Sequence, residues 1–208
     1  MDIIKNIQSG FLKPLPGELA QIKMAHAFRR KLWPAPPEAR DAGVLVLLYP
    51  REQDWHIVLI ERSTRYENDR HSGQISFPGG KKEPFDKDII DCAFREAEEE
   101  IGLQSREVNI LGSLTPLYVP VSGFLVHPVV AYCDYTPGFF PQETEVAGIL
   151  EVPFEFFLQP EKLGRKDLPF SNQMLIKDVP YFDIHGHVVW GATAMILSEL
   201  LTLSGHWD

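Results

Sequence analysis

The chain has 208 residues, 44% of them hydrophobic and 24% charged, so it can build a packed core and is not a disordered, collagen-like or disulfide-scaffold sequence. Its 29 Asp and Glu against 20 Lys and Arg give a net charge of −9, which repels a polyanion and argues against nucleic acid as a partner. The two cysteines, Cys92 and Cys133, cannot frame a chain this long, and the longest apolar run, Ala42 to Tyr49, is far below the ~18 residues of a membrane span. With no visible secretion signal, a cytoplasmic location and no membrane partner are expected.

In chain order, Leu19, Ile22, Ala25, Ala27 and Phe28 recur at near-helical spacing after the Pro16-Gly17 turn and predict a helix from about Glu18 to Arg30. Pro34-Ala35-Pro36-Pro37 is extended and separates this arm, residues 1–40, from a body of residues 41–208 on which the arm packs. Gly43–Leu48 and Trp55–Ile60 read as a hairpin around the polar stretch from Pro50 to Asp54, and the next 20 or so residues read as loop. Asp86-Lys87-Asp88 supplies a cap and acidic first turn, and Gly102 a stop, for a helix over Asp88–Ile101. Strands are predicted over Val108–Leu114, Phe124–Tyr132, Met174–Ile176 and Tyr181–Ile184, then a helix over Ala192–Leu203. This order predicts a mixed β-sheet with helices packed on it.

On the Asp88–Ile101 helix, Glu96, Glu99 and Glu100 share one sector, bordering the apolar stripe of Ile90, Phe94, Ala97 and Ile101. Three carboxylates in a last turn repel one another and oppose the helix dipole, and a divalent cation relieves that conflict. A solvated acidic face is the plain alternative. Upstream, Gly79-Gly80 after Pro78 can turn sharply and bring backbone close to a metal or phosphate, although no Gly-Lys-Ser/Thr of a P-loop follows. Arg70, Lys81 and Lys82 form a local basic patch without an intervening carboxylate, as an acidic protein needs for a phosphorylated substrate. His71 is a candidate phosphate donor, with a structural role as its alternative. Cys92 borders the carboxylates, which raise a thiol pKa and argue against a nucleophile.

The run Arg95-Glu96-Ala97-Glu98-Glu99-Glu100-Ile101-Gly102-Leu103 resembles the second half of the Nudix box. The first half departs from the pattern: Gly80 lies one residue early, and Asp86 or Asp88 stands in for the glutamate that pairs with the arginine. Arg62-Ser63 and His71-Ser72-Gly73-Gln74, followed by Ile75-Ser76-Phe77-Pro78-Gly79-Gly80, are similar to the signature of the coenzyme A pyrophosphatase subgroup, with Glu61 in place of the usual threonine.

The resemblance implies a Nudix α/β/α sandwich and Mg²⁺- or Mn²⁺-dependent hydrolysis of a small-molecule diphosphate. Glu96, Glu99 and Glu100 are the implied metal ligands and catalytic carboxylates, with Arg95 shaping the loop. Arg62, Arg70, His71, Gly79, Gly80 and Lys81 are the expected substrate-binding positions. A carboxylate near the metal, or one from a distant loop such as Glu143 or Glu145, is the general base, and the residues do not choose between them. The implied substrate is coenzyme A or an acyl derivative, cut to 3′,5′-ADP and (acyl-)4′-phosphopantetheine. ADP-ribose or another nucleoside diphosphate derivative is the second reading, and a domain that binds a nucleotide metabolite without cleaving it is the third. A homodimer would suit the family and the apolar arm.

Overall fold

A computed structural model describes residues 2–27, 29, 34–64, 73–104, 107–171 and 174–207. The expected hairpin is present and longer than its apolar cores suggest: β1 (Arg40–Arg51) and β2 (Asp54–Arg62) meet at Glu52 and Gln53, both at positive φ (52° and 79°). That pair of left-handed residues matches the strand twist across a two-residue turn. Short strands β3 (Ile75–Ser76) and β4 (Gly79–Lys81) interrupt the stretch read as loop. Then come β5 (Asn109–Ser113), β6 (Leu117–Val119), β7 (Phe124–Tyr132) and β8 (Val146–Pro153).

The central sheet runs β3-β2-β1-β7-β5, with β4 paired to β1, β6 to β7 and β8 to β2. The β1–β7 pair is parallel and its other pairs are antiparallel, so the sheet is mixed. A second sheet holds β9 (Leu163–Ser171), β10 (Met174–Ile184) and β11 (His187–Val189). The two strands predicted at Met174–Ile176 and Tyr181–Ile184 are thus one, with its register broken between Ile176 and Val179. The bulge hides the strand from a period-two pattern.

Alternation along β1 builds a layer on each face. Leu45, Leu47 and Tyr49 pack under helix α3 (Ile89–Ile101) with Ala93, Ala97 and Ile101. Val46 and Leu48 point the other way, into the layer that holds α4 (Gly191–Leu203). The helix α4 is apolar on nearly every side because the arm covers its outer face.

The arm corrects the sequence reading in two places. Helix α1 (Ile3–Phe11) was not anticipated: Asp2 caps it by accepting from Lys5 N–H, and Ile3, Ile4 and Ile7 are buried. The helix expected over Glu18–Arg30 is only α2 (Gly17–Gln21), followed by a 3₁₀ turn at Ile22–Met24 and an extended Ala25. Tertiary bonds take over there: Ser198 Oγ–H donates to the Ala20 carbonyl at 2.7 Å. Buried Glu199 accepts from Gly17 N–H, Gln21 Nε2–H and both the N–H and hydroxyl of Thr115.

Candidate active site

Helix α3 carries the acidic run, and its two ends are set by local chemistry. The Asp88 side chain accepts from Asp91 N–H at 2.9 Å, and Gly102 adopts the left-handed conformation at φ 67° and donates to Glu98 O. Asp88 is therefore the cap. Gly43 on β1 lets the helix come close, since a Cβ there would lie 2.7 Å from Ile89 O and 3.0 Å from Ala93 N. Close contact brings the polar sector of α3 against β4.

Asp86, not Asp88, is the partner of Arg95. Arg95 Nε and Nη2 donate to the two Asp86 carboxylate oxygens at 2.8 and 3.0 Å, and Nη2 also donates to Lys81 O at 3.1 Å. Asp86 is 4% exposed and accepts from Glu83 N–H, so the whole Lys81–Asp86 loop is tied to the helix through one guanidinium. The Arg95 hydrogen bonds hold the Asp86 carboxyl at about 2, well below the usual carboxylate range. Arg95 Nη1 also reaches Glu96 Oε1 at 2.7 Å and Glu99 Oε2 at 3.0 Å.

The three glutamates occupy different environments. Glu100 is 2% exposed, and its Oε2 accepts from Gly79 N–H at 2.8 Å while Oε1 lies 3.6 Å from Arg62 Nη1. Burial raises its pKa to about 7; the Gly79 N–H and the Arg62 charge pull it back, and the Glu96 and Glu145 charges add to it. Glu96 is turned toward Gly80, where a Cβ would stand 2.3 Å from Oε2, so only glycine leaves room for that carboxylate. Its pKa is also raised, first by burial and against the pull of Arg95. Glu99 faces outward with its side chain 58% exposed, on the far side of Arg95 from the Asp86 loop.

Of the other anticipated positions, Arg62, Gly79 and Gly80 converge on Glu96 and Glu100. Lys81 is exposed and paired with Glu83 at 3.0 Å. Arg70 and His71 lie outside the described residues. Glu145, left open beside Glu143 by the sequence, sits just before β8, its carbonyl accepting from Ser63 N–H at 2.7 Å and its charge pressing on both Glu96 and Glu100. Only the antiparallel β2–β8 pairing brings it there, and nothing in the local sequence around Glu145 announces that pairing. Cys92 is buried, with its thiol pushed up to about 11 chiefly by burial, in keeping with an inert role.

Among the described residues no group of three His, Cys, Asp or Glu side chains already converges as a metal cage. The donors on hand are a pair, Glu96 and Glu100, both desolvated and facing the Gly79–Gly80 turn. That set fits Mg²⁺, which uses one or two carboxylates and keeps waters for exchange with substrate phosphate oxygens. A cation there would offset the burial of both carboxylates, the leading cause of their raised pKa.

The chain is similar to known proteins over much of its length. The family described as NUDIX domain matches residues 39–174. The chain is 33% identical over 183 residues to Nudix hydrolase 22, chloroplastic, of Arabidopsis thaliana, an alignment that covers 85% of this chain and 59% of that protein. It is 34% identical over 172 residues to the uncharacterized Nudix hydrolase NudL of Photorhabdus laumondii, covering 80% of this chain and 89% of that protein. A solved structure, the C. elegans Ap4A hydrolase binary complex, superposes with a TM-score of 0.48 at 18% identity, over 57% of this chain and 83% of that one. The family match over residues 39–174 and a relative 34% identical along 89% of its length show that the chain belongs to the Nudix family.

Proposed function

We propose that this chain hydrolyses the diphosphate of coenzyme A or its acyl derivatives in the presence of Mg²⁺ or Mn²⁺, releasing 3′,5′-ADP and (acyl-)4′-phosphopantetheine. The observation that carries the hydrolase part is the desolvated pair Glu96 and Glu100 held against Gly79–Gly80. A non-catalytic binder has no physical need for a buried carboxylate kept beside two others. Support for coenzyme A comes from Arg62-Ser63 and His71-Ser72-Gly73-Gln74, the stretch similar to that subgroup's signature.

Glu96 and Glu100 would hold the cation, with Glu99 poised to join once Arg95 shifts. The cation would supply Lewis-acid stabilisation of charge on the phosphoryl oxygens. Gly79 N–H orients Glu100, and the Asp86–Arg95 pair sets the loop that presents Gly79 and Gly80. Arg62, 3.6 Å from Glu100 Oε1, would balance that carboxylate before substrate arrives. Glu145, just before β8, is our choice for the carboxylate that takes the proton of an attacking water, since its charge is felt by both Glu96 and Glu100. The buried, unbridged Cys92 and Cys133 support a reducing, cytoplasmic setting.

The test is product release from coenzyme A, acetyl-coenzyme A, ADP-ribose, NADH and diadenosine polyphosphates with Mg²⁺ or with EDTA. Coenzyme A compounds are expected to be cut fastest, and none to be cut with EDTA. Faster turnover of ADP-ribose than of any coenzyme A compound overturns the substrate while leaving the hydrolase. No cleavage of any member with Mg²⁺ or Mn²⁺ overturns the hydrolase.

A further inference from the structure

The segment between β7 and β8 is tied to the end of the helix that carries the site. Phe139 packs edge-on against Tyr49, with ring centres 5.3 Å apart. Phe140 N–H donates to Ile101 O and Gln142 N–H to Glu100 O, both at 2.9 Å, and Pro141 between them has no N–H to offer. Two of the carbonyls that α3 leaves without helical partners are satisfied in this way. Glu100 thus serves twice, its carboxylate turned to Gly79 and its carbonyl acting as the docking point of the segment.

At Gln142 the chain turns. Its carbonyl accepts from both Glu145 N–H and Val146 N–H at 2.9 Å, and its side-chain Oε1 accepts from Thr144 N–H at 2.9 Å and from the Thr144 hydroxyl at 3.0 Å. A side-chain oxygen bonded to the N–H two residues on is the pattern by which Asn and Asp hold turns. The other side of Glu145 is fixed as well, since its carbonyl accepts from Ser63 N–H at 2.7 Å, next to Arg62, which lies 3.6 Å from Glu100. The Glu145 backbone is therefore bonded on both sides to parts that carry the site, while the residue itself, like Gln142, is exposed.

We infer that Gln142 is a positioning residue for the hydrolysis: bonded to Glu100 through its N–H and to residues 144–146 through its two oxygens, it sets the place of Glu145 relative to the carboxylates of α3. The inference rests on the reading of Glu145 as the group that takes the proton of the attacking water. A base must come within hydrogen-bond reach of that water, and a displacement of about 1 Å is enough to lose much of its effect. An exposed glutamate at the start of a strand has no packing to hold it there. The Gln142 turn supplies that restraint through backbone bonds, and it ties the restraint to the same residue, Glu100, whose carboxylate the base must work beside.

Kinetics and amide exchange test this on the full chain, with Mg²⁺ and whichever member of the substrate panel is cut fastest. Glu145→Gln tests the base reading by itself and is expected to lower kcat about 10²-fold or more; an unchanged kcat overturns that reading. Gln142→Ala removes the side-chain oxygen and is expected to lower kcat about tenfold with KM and melting temperature unchanged, and to speed amide exchange over residues 143–146. Gln142→Asn, whose shorter amide also reaches the N–H two residues on, is expected to recover most of the loss, and Thr144→Val, which removes only the hydroxyl donor, to fall between the two. Added to Glu145→Gln, Gln142→Ala is expected to cost nothing further, because it acts through that carboxylate. Wild-type kcat in Gln142→Ala, a loss confined to KM, or the same tenfold loss in the Glu145→Gln background overturns the positioning role.

Discussion

Replacing Glu100 by glutamine separates stability from function at one atom pair. The Glu100 carboxyl is 2% exposed, and burial raises it to about 7 from an ordinary 4.5, net of the help from Gly79 N–H and Arg62. Between pH 4.5 and 7 the unfolded chain holds its charge while the folded chain holds a proton, so ionisation favours unfolding across that window. A gap of about 2.5 pKa units corresponds to roughly 3 kcal/mol once pH exceeds the folded value. Glu100→Gln keeps an oxygen for Gly79 N–H and removes the titration. In EDTA the variant should match wild type near pH 4 and be more stable by up to roughly 3 kcal/mol at pH 8, read by urea denaturation. At pH 8, millimolar Mg²⁺ should raise the wild-type melting temperature, more than at pH 6, and leave Glu100→Gln almost unmoved, the outcome expected of a cation held by the folded, ionised carboxylate. A stability difference that does not vary with pH, or an equal response of both proteins to Mg²⁺, refutes the reasoning.

Arg95→Ala leaves Asp86 buried without its partner and should cost about 3–5 kcal/mol by urea melt together with activity; a variant of normal stability and no activity would show that Arg95 acts on substrate instead. The same pair makes wild type acid-sensitive: with Asp86 held at about 2, its stabilising contribution is complete above pH 3.8 and is lost as pH falls through 2, a slope that Asp86→Asn should flatten. Gly80→Ala sets a methyl group 2.3 Å from the Glu96 carboxylate, and since the flexible end of a side chain is what must move, stability should change by less than about 1 kcal/mol. Its kcat should fall by about 10² or more, as should that of Glu96→Gln, both through loss of the same carboxylate position; a fully active Gly80→Ala protein would separate Glu96 from catalysis.

Much of the site was legible in one stretch of chain because its chemistry is local. Helical rotation alone gathers Glu96, Glu99 and Glu100, and Asp88 and Gly102 end that helix by bonds to backbone within a turn of themselves. Which acid answers Arg95 was not legible, since Asp86 and Asp88 are both within reach along the chain. Folding decided it by spending the Asp88 side chain on the helix cap and burying Asp86 against the guanidinium. The same limit applied to rank among the glutamates: they look alike in sequence, but packing against β4 desolvates Glu96 and Glu100 and leaves Glu99 behind Arg95 in water. Glu145, the arm helix α1 and the strand β8 depend on partners far along the chain, and no nearest-neighbour pattern encodes such a strand pairing or a helix buried by another helix. Local hydrogen bonds and periodicity act within a few residues and can be read from order alone. Burial, and the charge state that follows from it, belongs to atoms that meet only when the chain is folded.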